Sequence, residues 1–332
     1  MHPNIQTTLA RLEQLPLQSN GSITIIPLSD PMDRRLTYLT LAEALRTGRF
    51  HITEVSHAGS VPALKAVNDT KDDVLLIDGE EVAGAKQNRV FNASILVPAG
   101  STISIPVSCT EQGRWHYASS DFKESGHLMS QRQRMDQKWQ VMQTLRSHKS
   151  YAGSQGAVWD EVSRLHDELG TQSNTGAMSD AFRIRGSDID DLTHAFEPVK
   201  GQVGLAAVVN GRLLGLDYLS QESVFKQVFP KLIKSYTIEA MRTRGGSPSR
   251  HDRDVVAQYD RLVETAIEAS ESVHESVGLG FDYRYSSDDV VGSALVHKEE
   301  VVHMAFFAVD RFPSDEPRGR FSSFRERRDF RY

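Results

Sequence analysis

A short polar stretch, DGEEVAGAKQNRVFN at residues 78–92, separates two apolar runs, DVLLI and SILVPAG. It carries side chains that suit an anionic ligand with many hydrogen-bonding groups: Lys86, Gln87, Asn88, Arg89 and Asn92. Ammonium and guanidinium groups pair with phosphate, and amides hydrogen-bond to a base or a ribose. We therefore predict that these five residues line a ligand-binding site.

The same region supplies carboxylates that could move protons or bind a metal. Glu80 and Glu81 lie in the polar stretch, and Glu111 lies in a second cluster, IPVSCTEQGRWHY at residues 105–117, together with Arg114. We predict Glu80, Glu81 and Glu111 as the candidate catalytic residues and add Arg114 to the ligand-binding set. Hard oxygen ligands from Asp78, Glu80 and Glu81 would suit Mg²⁺, but the sequence does not specify a cofactor.

Other interpretations of these two clusters stay open. In an alternating strand, Lys86 and Asn88 would share one face and Gln87 and Arg89 the other, so both faces would be polar. Because an unsatisfied buried polar group costs about 1–3 kcal/mol, these groups must pair with one another, contact water or meet a ligand. A polar β-hairpin with surface salt bridges is the structural alternative. Cys109 with His116 as its base is an alternative nucleophile.

The elements around these clusters predict an α+β fold. Residues 20–118 contain successive strand-like runs separated by turn residues, and glycines 79 and 84 suit turns. Residues 127–149, 156–169 and 177–197 have helical patterns. Asn210-Gly211 marks a hairpin at 202–220, a helix containing Pro230 follows, another helix covers residues 254–273, and a second hairpin covers 290–309. This order predicts hairpin–helix units packed on a mostly antiparallel sheet.

We expect residues 1–310 to form one large domain, with a β-rich part (20–118), a helical part (127–197) and a hairpin–helix part (200–310). Residues 243–253 read as a surface loop, and the arginine-rich segment 311–332 as a flexible tail. Neither GxGxxG nor GxxxxGK[ST] follows a strand, so the common nucleotide fingerprints are not found.

Composition narrows the class of protein. The net charge of −6 weighs against a nucleic-acid partner, because duplex binders carry a basic excess. A single cysteine and no recognisable signal peptide predict a cytoplasmic protein. No apolar run approaches the roughly 18 residues of a membrane span, so we expect no membrane association. A homo-oligomer is the default expectation.

The block LLIDGEEVAGAKQNRVFNASILVPAGSTISIPVSCTEQGRW, the hairpin GLAAVVNGRLLGLDYL and the segment GLGFDYRY resemble the ARG and Rhodanese-Phosphatase-superfamily-associated Protein domain family. The resemblance covers roughly residues 20–310 and excludes the N-terminal helix and the tail. It implies association with ADP-ribosylglycohydrolases and phosphatase-like proteins, and hence a role around NAD-derived or ADP-ribose-type nucleotides. An enzyme of this kind would be a hydrolase or transferase. The alternative is a non-catalytic nucleotide sensor or an assembly module that acts with a partner protein.

Overall fold

The computed structural model describes residues 1–32, 35–242 and 254–309. Within these ranges helix and strand are about equally frequent, at 33% and 35%, and the fold is α+β as predicted. The described helices are α1 (Pro3–Arg11), α2 (Leu41–Arg46), α3 (Gln131–His148), α4 (Gln155–Leu169), α5 (Met178–Ile184), α6 (Gly186–Thr193), α7 (Glu222–Arg242) and α8 (Val255–Glu268).

The described strands form three sheets. The first nine strands are β1 (Glu13–Gln14), β2 (Gln18–Asn20), β3 (Ile23–Ser29), β4 (Tyr38–Thr40), β5 (Phe50–Glu54), β6 (Ala63–Asn68), β7 (Asp73–Leu76), β8 (Glu80–Gly84) and β9 (Arg89–Phe91). The remainder of the described strands are β10 (Ile95–Val97), β11 (Ser101–Cys109), β12 (Phe122–Leu128), β13 (Gln202–Val209), β14 (Arg212–Leu219), β15 (Ser270–Glu275), β16 (Phe281–Ser286), β17 (Val290–His297) and β18 (Glu300–Ala308).

The largest sheet has nine strands in the order β1-β3-β13-β14-β18-β17-β16-β15, and β2 also pairs with β3. Its neighbours are antiparallel throughout. Asn210 and Gly211 both have positive φ, as the turn between β13 and β14 requires. Helices α3 and α7 cover one face of this sheet, and α1 and α8 cover the other. Both faces are therefore buried, which explains the almost continuous apolar runs of β13 and β18.

Two smaller sheets form the β-rich part. One has the order β12-β8-β9-β11-β6-β5 and the other β10-β7-β4, in which β4 and β7 are parallel. The two sheets and α2 share one apolar core that includes Leu41, Phe50 and Phe91. The strands β7 and β8, which are consecutive in sequence, therefore belong to different sheets, and the polar stretch begins where the chain passes between them.

Three sequence predictions were wrong in their boundaries. The helix expected at 127–149 begins at Gln131, because Phe122–Leu128 form β12 at the edge of the six-stranded sheet. The segment 177–197 contains two helices, α5 and α6, separated at Arg185. The helix expected to reach residue 273 ends at Glu268, and the chain continues as β15.

The predicted loop 243–253 and the tail 311–332 lie outside the described residues. The expected division of the chain into domains stays a prediction.

Candidate functional site

The polar stretch forms a β-hairpin. Strands β8 and β9 pair through Glu81 with Val90 and Val82 with Arg89, and residues 85–88 make the connection. The expected alternating strand was therefore wrong, because Lys86, Gln87 and Asn88 belong to the turn. Gly79 lies in the turn before β8 and has a φ of +79°, as expected of a turn glycine. Gly84 instead ends strand β8 with a φ of +130°, and an added Cβ would lie 2.8 Å from Asp121 O, so this glycine permits a close backbone approach.

Arg114 attaches the following loop to this turn. Its guanidinium donates to Ala85 O at 2.6 Å and to Glu111 Oε2 at 2.6 Å. Further bonds reach three oxygen acceptors, namely Gly84 O, Asn88 Oδ1 and His116 O. Arg114 is 8% exposed, so its charge serves the hairpin and the loop rather than the solvent. We interpret it as a positioning residue.

Glu111 completes the same cluster. Besides Arg114, its carboxylate accepts from Asn88 N at 3.1 Å and from Thr175 Oγ1 at 2.9 Å. Burial alone would raise the pKa of Glu111, but these hydrogen bonds, led by Arg114, lower it below its ordinary value. Glu111 is therefore held as an anion. Its oxygens organise backbone and loop residues, which is a structural task.

Arg89 lies beneath the loop that Arg114 holds. It is fully buried, and Nη1 donates to Gln87 Oε1 at 3.2 Å. Its Nη2 is 3.8 Å from Glu54 Oε1, and Nε and Nη2 have no hydrogen-bond partner among the residues that the structure describes. The guanidinium carbon lies 5.6 Å from the centre of the Trp115 ring. Trp115 thus covers a cation that is only partly paired.

An aromatic surface, defined here by Trp115, Tyr117, Lys86 and His57, lies outside Arg89. Trp115 is 46% exposed and Tyr117 is 40% exposed. The Lys86 ammonium is 5.4 Å and 5.1 Å from the centres of these two rings, and it donates to Ala58 O at 2.7 Å. Tyr117 also contacts the His57 ring and donates to His57 O. Neither aromatic ring is among the residues predicted above to line a site.

Two other predicted residues have separate partners. Glu80 is buried and pairs with Lys231 of α7, which also binds Glu124. Asn92 donates to Tyr151 O and accepts from Ser108 and Gln137. Neither side chain lies with the hairpin turn.

Glu81 is fully buried and accepts from Thr110 Oγ1 at 2.7 Å. Burial raises its pKa to about 7, and the hydroxyls of Thr110 and Ser125 oppose this rise only in part. A carboxyl group with this pKa can exchange a proton near neutral pH. Among the predicted carboxylates it has the acid–base character that catalysis would need.

A metal site and a reactive thiol find little support in the geometry. In the described ranges no group of three or more His, Cys, Asp or Glu side chains is arranged to hold a metal ion. Asp78, Glu80 and Glu81 each contact different partners. Burial raises the pKa of Cys109 to about 11, so its thiol is neutral at physiological pH.

The structure also reveals a buried polar network that sequence reasoning missed. Lys138 of α3 donates to Asp78 at 2.5 Å and to Ser293 at 2.6 Å, and Ser94 bridges Asp78 and His303. Asp217 accepts two bonds from Arg134 and one from Tyr236. The charged members of this network are at most 1% exposed, so a substrate has no path to Ser94 and His303. We interpret the network as structural.

Fold and site together define an α+β protein with an aromatic, cation-backed surface beside a β-hairpin. The chain belongs to the ARG and Rhodanese-Phosphatase-superfamily-associated Protein domain family, whose model matches residues 11–307. No curated protein and no solved structure matches the chain. None of the described helices is both long enough and apolar enough to cross a membrane.

Proposed function

We propose that the protein binds an NAD-derived or ADP-ribose-type nucleotide at the aromatic surface. The observation that carries this proposal is the exposure of the Trp115 and Tyr117 rings directly beside the Lys86 ammonium. An exposed ring offers a face for stacking a base, which contributes about 1–3 kcal/mol. A half-buried ammonium beside it supplies charge for a phosphate.

The family supports the same class of ligand. Its description names an association with ARG and rhodanese-phosphatase proteins. The sequence resemblance implies a role around ADP-ribose-type nucleotides. The net charge of −6 does not conflict with an anionic ligand, because Lys86 and the incompletely paired Arg89 place positive charge at this surface.

Binding without turnover is the better-supported form of this function. Glu80 is paired with Lys231 and Glu111 with Arg114, while Glu81 is buried beneath the hairpin. The three carboxylates do not converge on the aromatic surface as an acid and base would. Glu81 has the raised pKa of an acid–base residue, but like Ser94 and His303 it is buried away from a bound nucleotide.

The first test compares two partly exposed tryptophans. Calorimetric titration with ADP-ribose, NAD, AMP, ADP and ATP, each with and without Mg²⁺, identifies the ligand. We expect Trp115→Ala to weaken its binding roughly 5- to 150-fold, which corresponds to one lost stacking contact. Trp139→Ala is the matched control, since Trp139 lies on α3 and is 39% exposed. Unchanged affinity in Trp115→Ala would move the site elsewhere.

Lys86→Ala separates phosphate recognition from stacking. It should weaken the binding of ADP more than the binding of adenosine, because adenosine has no phosphate. Chromatography of the incubated nucleotide then distinguishes the two forms of the function. A new product would support processing, whereas saturable binding with the nucleotide recovered intact would support a sensor.

An assembly role is the second candidate. Val55 and Val61 are 39% and 41% exposed, and they flank the segment that contains His57. Exposed apolar side chains near an exposed aromatic pair could take part in a contact surface. Light scattering of the wild type and Trp115→Ala tests this. A smaller particle in the variant, together with no nucleotide binding in the wild type, would favour the interface.

A further inference from the structure

The large sheet has an edge at β15, because among the described strands β15 pairs with β16 alone. Just beyond β15, Ser276 N donates to Gly280 O. Continued along this antiparallel pair, the alternation leaves the N–H and C=O groups of three residues pointing away from β16, namely Glu271, Val273 and Glu275. Tyr151 donates to Glu275 O at 2.8 Å, and the other outward groups offer a template for a further extended segment.

A cavity of about 730 Å³ adjoins this edge. It lies between the start of α1, the connection from β15 to β16 and the turn from β17 to β18, and its walls include the Phe281 and Tyr283 side chains. A volume of this size accommodates a large side chain or a small molecule. We refer to β15 and this cavity together as the edge groove.

The edge groove exposes apolar side chains on one face of the sheet. Phe281 is 50% exposed and Val273 is 48% exposed. Val273 pairs with Tyr283 and Glu275 with Phe281, so these four side chains share the face on which the cavity lies. An edge strand with adjacent exposed apolar groups is a surface that proteins normally cover.

The charge of the edge groove indicates what covers it. Glu275 and Glu299 line the cavity, and neither carboxylate has an ion-pair partner in the parts of the chain that the structure describes. Lys298 is the single lysine or arginine among the described lining residues. A second copy that paired antiparallel through Val273 would bring Glu271 opposite Glu275, and like charges in that position are destabilising. A basic segment with apolar side chains fits better.

The chain itself contains such a segment beyond Val309, where the described structure ends. Residues 318–332, RGRFSSFRERRDFRY, contain six arginines and two acidic residues together with three phenylalanines and a tyrosine. We call these residues the Arg/Phe segment. Its arginines match the carboxylates of the edge groove, and its aromatic side chains match the cavity.

The Arg/Phe segment can reach the edge groove of its own molecule. Ala308 pairs with Val290 at one end of β17, and Phe281 pairs with Val296 near the other end. Six residues along a strand and three strand spacings across the sheet correspond to about 25 Å. The eleven residues 310–320, the spacer, span up to about 36 Å when extended.

We propose that the Arg/Phe segment docks on the edge groove within the same chain. It lies along the free edge of β15, places a phenylalanine in the cavity, and pairs its arginines with Glu275 and Glu299. This inference goes beyond the proposed function, because the edge groove belongs to the large sheet and shares no residue with the aromatic surface.

Trypsin cleavage of the full-length protein tests the docking, because trypsin cuts after arginine and a docked segment resists cleavage. Mass spectrometry follows the release of peptides from residues 318–332. Phe281→Ser should speed this release roughly tenfold, since it removes a phenylalanine side chain from the contact. Leu17→Ser should leave the rate unchanged. Leu17 is the matched control, because it is 47% exposed and lies between β1 and β2 at the opposite edge of the sheet.

Hydrogen exchange of the β15 amides is the reciprocal test. Phe324→Ser combined with Phe330→Ser should make the outward amide of Val273 exchange severalfold faster. Phe312→Ser, which changes the spacer, should not. Thermal melting should confirm that all variants fold, as expected for exposed positions such as Phe281.

Equal cleavage of the wild type and Phe281→Ser, or β15 exchange that the double variant leaves unchanged, would overturn the proposal. Protection of β15 that increases with protein concentration would also overturn it, because the edge groove would then hold the segment of a second copy. None of these results bears on nucleotide binding at the aromatic surface.

Discussion

Arg114, Asn88 and Glu111 illustrate why residue type alone does not separate a ligand site from an internal network. Each has the chemistry of an anion-binding or catalytic residue, but each forms its hydrogen bonds with a neighbour in the hairpin or loop. Asn88 also donates to Ser179, which is 91 residues away in sequence. A partner at that separation is not visible in the sequence, so the polar stretch looked like a site with free groups.

The raised pKa of Glu81 predicts how the stability of the protein changes with pH. Its pKa is about 7 in the folded protein and near 4.5 in the unfolded chain. The protonated form therefore contributes stability that is complete below pH 4.5 and is lost as the pH rises towards 7. The full effect is on the order of 3 kcal/mol. Glu81→Gln cannot ionise, so its free energy of unfolding relative to wild type should rise between these pH values.

Urea unfolding at pH 4.5, 6 and 7.5 measures this difference. The exposed Glu264 of α8 provides the control, because Glu264→Gln should give a nearly constant difference across the same range. A pH-independent difference for Glu81→Gln would contradict the raised pKa. It would also remove the main argument for Glu81 as an acid or base.

Elements with a strong local signal could be predicted from the sequence. The hairpin β13–β14 and the helix α7 have clear patterns, and Asn210-Gly211 identifies the turn. β12 was missed because its middle residues are polar and its pairing with β8 shifts register between Glu124 and Leu128. An irregular edge strand of this kind lacks the alternation by which strands are found.

Substitution of Gly215 tests how closely the paired strands β14 and β18 pack. It lies on β14 opposite Phe307 of β18, and an added Cβ would lie 2.4 Å from Phe306 O. Because this contact is with backbone, the strands must separate. Gly215→Ala should cost about 1–3 kcal/mol in the free energy of unfolding.

Gly156 is the matched control for this change. It lies in the first turn of α4, where an added Cβ meets nothing within 4 Å. Gly156→Ala should be neutral or stabilising by up to about 1 kcal/mol. Equal melting temperatures for the two variants would show that β14 and β18 are less closely packed than the geometry requires.

Buried ion pairs connect the β-rich part, helix α3 and the large sheet. Asp78, between β7 and β8, reaches α3 through Lys138, and α3 reaches the large sheet through Arg134 and Asp217. Gly79 leaves space for the Arg134 side chain, since an added Cβ would lie 2.9 Å from Arg134 Cγ. Burial opposes ionisation of Asp217, but Arg134 outweighs it and holds the pKa of Asp217 well below its usual range. No sequence pattern predicts such contacts, because the partners lie 60 and 83 residues apart.

This arrangement predicts strong coupling between Arg134 and Asp217. Removing one partner leaves the other charge buried and unpaired, so Asp217→Asn and Arg134→Met should each cost about 3–5 kcal/mol. The double variant should cost clearly less than the sum of the two, because no unpaired charge then remains. Urea unfolding at pH 7 of all four proteins measures the coupling energy.

The ion pair of Arg183 and Asp180 on α5 is the control cycle, since Arg183 is 71% exposed. Its coupling should be only about 0.2–1 kcal/mol, because solvent screens an exposed pair. A buried pair that couples no more strongly than this surface pair would mean that water reaches Asp217. In that case the contact between α3 and the large sheet would depend on apolar packing, and acid would not weaken it. If the coupling is large, protonation of Asp217 should release this contact in acid. The ion pair with Arg134 contributes its full stability above the ordinary pKa of an aspartate, about 4, and loses it as the pH falls through the lowered pKa of Asp217.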